Sequence, residues 1–89
     1  MYNLIKKIMK PVSVSGREDA VVAVIAEEIE QYVDSMRIDP LGNLIVFKQG
    51  TAKDKKKIMF AAHIDEIGFM VTYIEENGFI RFAPIGGIN

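Results

Sequence analysis

"KKIMFAAHIDEIGFMV", residues 56–71, decides how this chain is read. A nearly continuous apolar run is broken by His63, Asp65 and Glu66, and then resumes. The first half, "KIMFAAHID", predicts a strand covered on both faces, because strands that alternate apolar and polar residues are those with one wet face. The continuation, "EIGFMVTYIEENGFIRFAPIGG", predicts a hairpin. Asn77-Gly78 supplies the two positive-φ residues that a type I′ turn requires. Met59, Phe60, Phe69, Met70, Phe79 and Phe82 are expected in the core, with Arg81 facing out. His63, the one histidine in the sequence, then stands where an apolar strand ends. An imidazole and carboxylates placed there are costly unless they have partners.

Toward the N-terminus the period changes from two to that of a helix. Leu4, Ile5, Ile8 and Met9 predict a short helix over residues 3–9, stopped by Pro11. Ser15 with Glu18 forms an S-x-x-E capping box that predicts the start of a second helix. Val22, Ile25, Ile29, Tyr32 and Val33 give that helix an apolar stripe running to about Asp34. "MRIDPLGNLIVFKQG", residues 36–50, predicts two extended runs around a turn at Pro40, Gly42 and Asn43. "TAKDKKK", residues 51–57, reads as a solvated charged loop. The predicted fold class is therefore α/β, two N-terminal helices followed by about five strands. The ending "APIGGIN" closes no element and leaves an open strand edge. The expectation is that residues 1–89 are the opening of something longer.

Bulk properties exclude several classes. A chain of 89 residues is at most one small domain. A formal net charge of −1 argues against a nucleic-acid or anionic-membrane surface as its main partner. With no cysteine there is neither a disulfide nor a thiolate metal site. "MYNLIKKIMKP" lacks the apolar core and cleavage site of a signal peptide, and no apolar stretch is long enough to span a membrane. These features predict a soluble, cytoplasmic protein.

The chemistry rests on few residues. Alternate side chains of a strand share a face, so His63 and Asp65 point the same way. A carboxylate beside an imidazole is the usual partner that holds a metal-ligating histidine in one tautomer. Ala61 and Ala62 leave room for a charged object beside the strand. A hydrogen-bonded structural histidine fits the same residues, and nothing else in the chain completes a metal site. Ser15 is accounted for as a helix cap. Glu66 reads as the solvent-facing first residue of the next strand.

Taken together, "VSGRE", "DPLGNLIV", "AAHIDEIGFMV" and "ENGFIRFAPIGG" resemble, in this order, the N-terminal part of the dinuclear metal aminopeptidases of the glutamyl and tetrahedral aminopeptidase type. Some members of that family carry an endoglucanase or cellulase label. The resemblance covers almost the whole chain. It implies a zinc-aminopeptidase-type α/β fold, His63 as a metal ligand and Asp65 as the catalytic-site carboxylate that orients it. It further implies two divalent metal ions, zinc or cobalt, per full-length subunit, a peptide substrate and a homo-oligomer. The family's bridging aspartate, general-base glutamate, remaining carboxylate ligand, second histidine and dimerisation domain have no counterpart in these residues. On that reading residues 1–89 are an N-terminal fragment of the catalytic domain, inert alone. The competing expectation is a small non-catalytic α+β module that binds a partner or self-associates through its strand edge.

Overall fold

The computed structural model describes residues 1–54 and 56–88; Lys55 of the charged loop and the final Asn89 lie outside the described residues. In chain order it contains helix α1 (Tyr2–Ile8), helix α2 (Asp19–Ile29) and a 3₁₀ turn (Glu30–Tyr32). Strands β1 (Ser35–Ile38), β2 (Leu44–Phe47), β3 (Gly68–Ile74) and β4 (Ile80–Ile85) follow. The α/β class and the two opening helices agree with the sequence. The strands form two separate antiparallel ladders, β1 with β2 and β3 with β4.

Helix α1 ends where Met9 donates its N–H to the Ile5 carbonyl, 2.9 Å, and Lys10 precedes Pro11, whose ring disfavours a helical residue before it. Helix α2 starts later than the capping box predicts. Glu18 is its N-cap, without a side-chain cap bond, and the Glu18 carboxylate instead accepts the Gly16 N–H at 2.7 Å. The Ser15 hydroxyl is engaged elsewhere. Asp19 places a negative charge in the first turn, where the helix dipole favours it. Among the described residues the buried apolar side chains are Val21 and Val22 of α2, Val21 being 1% exposed. Burying such a side chain contributes about 1.5–3 kcal/mol. Lys7 of α1 reaches Glu28 of α2 at 2.5 Å and Glu27 at 3.4 Å, both exposed pairs. Beyond the 3₁₀ turn, Asp34 donates its N–H to the Phe47 carbonyl and its carboxylate accepts the Gln49 N–H, which ties the end of the helical region to the end of β2.

Both hairpins use the same loop. In the first, Gly42 donates to the Asp39 carbonyl at 3.0 Å and Asp39 donates to the Asn43 carbonyl at 3.1 Å. In the second, Gly78 donates to Glu75 at 2.9 Å and Glu75 to Phe79 at 2.8 Å. Gly42 and Gly78 have φ of +86° and +87°, and no non-glycine residue among those described has positive φ. This is the three-residue loop in which a type I turn is closed by a left-handed glycine bulge. The type I′ turn expected at Asn77-Gly78 is thus replaced. Asn77 stays at negative φ, and its side-chain oxygen accepts the Phe79 N–H at 3.3 Å.

Between the hairpins, residues 57–65 belong to no helix or strand and join neither ladder, so the strand expected there has no sheet partner among the described residues. Among the described residues there are four strands, where the sequence predicts about five. The expected core differs for the same reason. Met59 and Phe60 are 89% and 94% exposed, and Phe69, Met70, Phe79 and Phe82 are also exposed. Two two-stranded ribbons and two helices supply no second layer to cover them. Phe69 and Phe82 cover each other in part, with ring centroids 4.7 Å apart at 71°, the edge-to-face arrangement the ring quadrupoles prefer. Arg81 faces out as expected and donates to Glu75 at 2.6 Å. The radius of gyration is 17.9 Å, against about 12 Å for a close-packed domain of this length. No helix among the described residues is long and apolar enough to cross a membrane.

Candidate functional site

The site is assembled by a link between distant parts of the chain. Val14–Arg17 form a β-turn closed by the Arg17 N–H on the Val14 carbonyl at 2.8 Å. Gly16 at its third position has φ of +82°, the conformation a type II turn demands there and glycine supplies without a Cβ clash. The strand-like residue Val14 pairs in parallel with Glu66, and the Glu66 N–H donates to the Ser13 carbonyl at 2.9 Å. Ser13 is buried under this junction. Gly68 lets Val14 in: a Cβ there would lie 2.5 Å from Val14 Cγ2. Residues 13–15 are in this way held against residues 65–68.

This junction brings together His63, Asp65 and Ser15. His63 Nδ1 lies 3.0 Å from Asp65 Oδ1 and 3.1 Å from the Asp65 carbonyl oxygen. The second carboxylate oxygen of Asp65 accepts the Ser15 hydroxyl at 2.5 Å. The Ser15 hydroxyl first, and His63 second, hold the Asp65 carboxyl below the ordinary carboxylate range, so it is ionised at neutral pH. Both oxygens facing Nδ1 are therefore acceptors. Only a protonated Nδ1 satisfies them, which leaves the lone pair of a neutral ring on Nε2. The His63 side chain is 86% exposed, and Nε2 has no hydrogen-bond partner among the described residues.

The same geometry excludes a serine-nucleophile triad. There the serine hydroxyl pairs with the imidazole nitrogen opposite the one held by the carboxylate. Here Ser15 and His63 both donate to the Asp65 carboxylate, so the hydroxyl has no base at hand. Among the described residues no three or more His, Cys, Asp or Glu side chains gather as a metal-binding group. His63 fits the part of one ligand, through Nε2, and no more than one.

The sequence placed His63 and Asp65 on one face, and the structure brings them into contact. Glu66 is exposed, as expected, and enters through its backbone. Ser15 was missed as a member of the cluster. Its Ser-Gly dipeptide is a turn signal, but nothing local indicates a partner fifty residues away. Beside the cluster, Ile25 and Ile29 of α2, Leu44 and Val46 of β2, and residues 62–65 enclose an open cleft of about 410 Å³. Its lining is mixed: the apolar side chains are joined by Glu18, Asn43, His63 and Asp65.

Comparison with known proteins agrees with the motifs. The model of the M42 glutamyl aminopeptidase family matches residues 42–89. A lysyl aminopeptidase of Pyrococcus furiosus is 39% identical over 88 residues, covering 98% of this chain and 25% of the relative. An aminopeptidase structure from the archaeon Desulfurococcus kamchatkensis superposes with a TM-score of 0.88 at 45% identity, covering 98% of this chain and 24% of that one. A structure from Thermotoga maritima titled as an endoglucanase gives a TM-score of 0.78 at 42% identity, covering 99% and 27%. The chain thus spans about a quarter of the length of the relatives it matches. With the family model covering more than half of its residues, the chain belongs to the M42 glutamyl aminopeptidase family.

Proposed function

We propose that residues 1–89 are the N-terminal part of the catalytic domain of a metal-dependent aminopeptidase, and that they are inert without the remainder. One observation carries the reading. His63 Nδ1 is committed to two acceptor oxygens of Asp65, so the ring offers Nε2 to an incoming cation. The carboxylate fixes the tautomer and keeps a negative charge behind the ligand. The rest of the donor set, and the glutamate that would serve as base, come from chain beyond this segment. The dimerisation domain also lies outside it.

Two divalent ions, zinc or cobalt, fit an imidazole-and-carboxylate site of this kind and when bound would polarise a peptide carbonyl and acidify water. The part of this chain is narrower: His63 ligates and Asp65 orients. The substrate is a peptide with a free N-terminus, the assembled protein is a homo-oligomer, and its place is the cytoplasm. The exposed run Ile58, Met59 and Phe60 and the open cleft beside α2 support the fragment reading, since both lack the packing partners a larger sheet would bring.

The test is release of chromophore from an aminoacyl p-nitroanilide. The 89-residue chain with zinc or cobalt added gives none, whereas the protein carrying this segment with the rest of its domain is active and loses activity on chelation. Release by the short chain, abolished by His63→Ala, would overturn inertness. Activity that survives chelation would overturn the metal.

A further inference from the structure

We infer that Ser15 is a positioning residue of this site, acting on His63 through the Asp65 carboxylate. The two oxygens of that carboxylate are divided between two donors. Oδ2 takes the Ser15 hydroxyl at 2.5 Å and Oδ1 takes His63 Nδ1 at 3.0 Å. A carboxylate held by one donor alone can turn about its last torsion, which is broad and roughly two-fold. With Oδ2 anchored, that rotation would break a charge-assisted hydrogen bond, and such bonds are roughly twice as strong as neutral ones. Oδ1 therefore stays where His63 Nδ1 meets it.

Ser15 is itself held from both sides. The Val14–Arg17 turn fixes its backbone, with Gly16 at φ +82°. The pairing of Val14 with Glu66 fixes that turn against the segment that carries Asp65. The hydroxyl is not used as a helix cap, since α2 has none from a side chain. The link runs from a turn near the N-terminus to the residue pair 63 and 65. The orientation of the imidazole is thereby set through Asp65 by a residue fifty positions from that carboxylate, not by the 63–65 segment alone.

This inference deepens the reading of His63 as a ligand and rests on it for its purpose, but its test does not need a metal. His63 is the one histidine in the chain, so ¹⁵N-histidine labelling gives unambiguous ring signals. A free neutral imidazole favours the proton on Nε2. In alkaline solution the unsubstituted chain is expected to show mainly the Nδ1–H form, as the Asp65 contacts demand. Ser15→Ala shifts the population to Nε2–H, as Asp65→Ala does, and Ser15→Thr, which keeps the hydroxyl in the same turn, restores Nδ1–H.

A Ser15→Ala chain with unchanged tautomer, beside an Asp65→Ala chain in which it changes, overturns the role of Ser15 and leaves Asp65 as the orienting group. So does failure of Ser15→Thr to restore Nδ1–H while the Glu66 amide stays protected. Ring signals in the Nε2–H form without any substitution overturn the whole relay. Addition of Co²⁺ to the protein that carries the rest of the catalytic domain, with the His63 ring signals identified by their loss in His63→Gln, then separates the two readings. Broadening of the His63 ring signals supports the ligand role. Unmoved signals, with the tautomer shifts as expected, leave Ser15 as the anchor of Asp65 and overturn the ligand.

Discussion

Gly68 faces Val14 so closely that a Cβ at position 68 would lie 2.5 Å from Val14 Cγ2. This approach lets the turn carrying Ser15 close onto the segment carrying Asp65, so a residue with no chemistry of its own sets the spacing of the site. Val14 cannot easily give way, since its β-branched side chain is stiff at χ1.

Gly68→Ala is therefore expected to destabilise the junction by about 1–3 kcal/mol, the usual range for an overpacked contact. Val14→Ala in the same chain should recover part of that loss, giving a non-additive pair. Urea midpoints of the two single variants and the double variant decide it. Strict additivity would show that the two residues do not meet.

The fold was legible where local chemistry dictated it, and illegible where it depended on distant partners. Pro11 ended α1, the Val22/Ile25/Ile29 stripe marked α2, and the two turn sequences placed both hairpins. Turn type was misread at Asn77-Gly78, because Gly78 alone can supply the left-handed residue if the loop is one residue longer. The strand expected at 57–65 has the composition of a covered strand, but a strand needs ladder partners that these residues do not include. The His63–Asp65 pair followed from the period of two. Ser15 did not, because S-x-x-E also describes a cap, and the choice between a cap and a carboxylate is made by tertiary structure.

Asp39 gives a prediction about pH. Its carboxylate accepts the Asn43 side-chain amide at 2.9 Å, with the Asn43 and Leu41 backbone N–H groups at 2.9 and 3.0 Å. The Asn43 side chain, and then its backbone, hold Asp39 below the ordinary value of 3.8. A carboxyl whose folded value is lowered stabilises the turn fully above its unfolded value, and that stabilisation is lost as pH falls through the folded one. The β1–β2 turn should thus stay intact down to pH 3.8 and loosen below it, seen as loss of Asn43 amide protection. Asp39→Ala should remove this acid step. A midpoint above the ordinary value would contradict the hydrogen-bond geometry.

The exposed run Ile58-Met59-Phe60 lies in a segment with no ladder partner among the described residues. Such edges pair with other chains unless charge or proline blocks them. The 89-residue chain is expected to elute earlier from a sizing column as its concentration rises. Phe60→Asp should suppress the shift, and EDTA should not. Elution that responds to EDTA instead would show that metal builds the association.

Substitutions at Asp65 and His63 should differ in kind when made in the protein that carries the rest of the catalytic domain. Asp65→Asn keeps the size of the side chain and removes the charge behind the ring. Loss of such an orienting partner typically weakens metal binding by about 10–100-fold. His63→Gln removes the nitrogen donor itself. Zinc affinity measured by competition with a chromophoric chelator should fall by that range in Asp65→Asn, and added zinc should restore most of its aminopeptidase activity. In His63→Gln the affinity should fall further and excess zinc should restore little. Equal losses in the two variants would mean that Asp65 does more than orient the ring. No loss in either would remove His63 from the metal site.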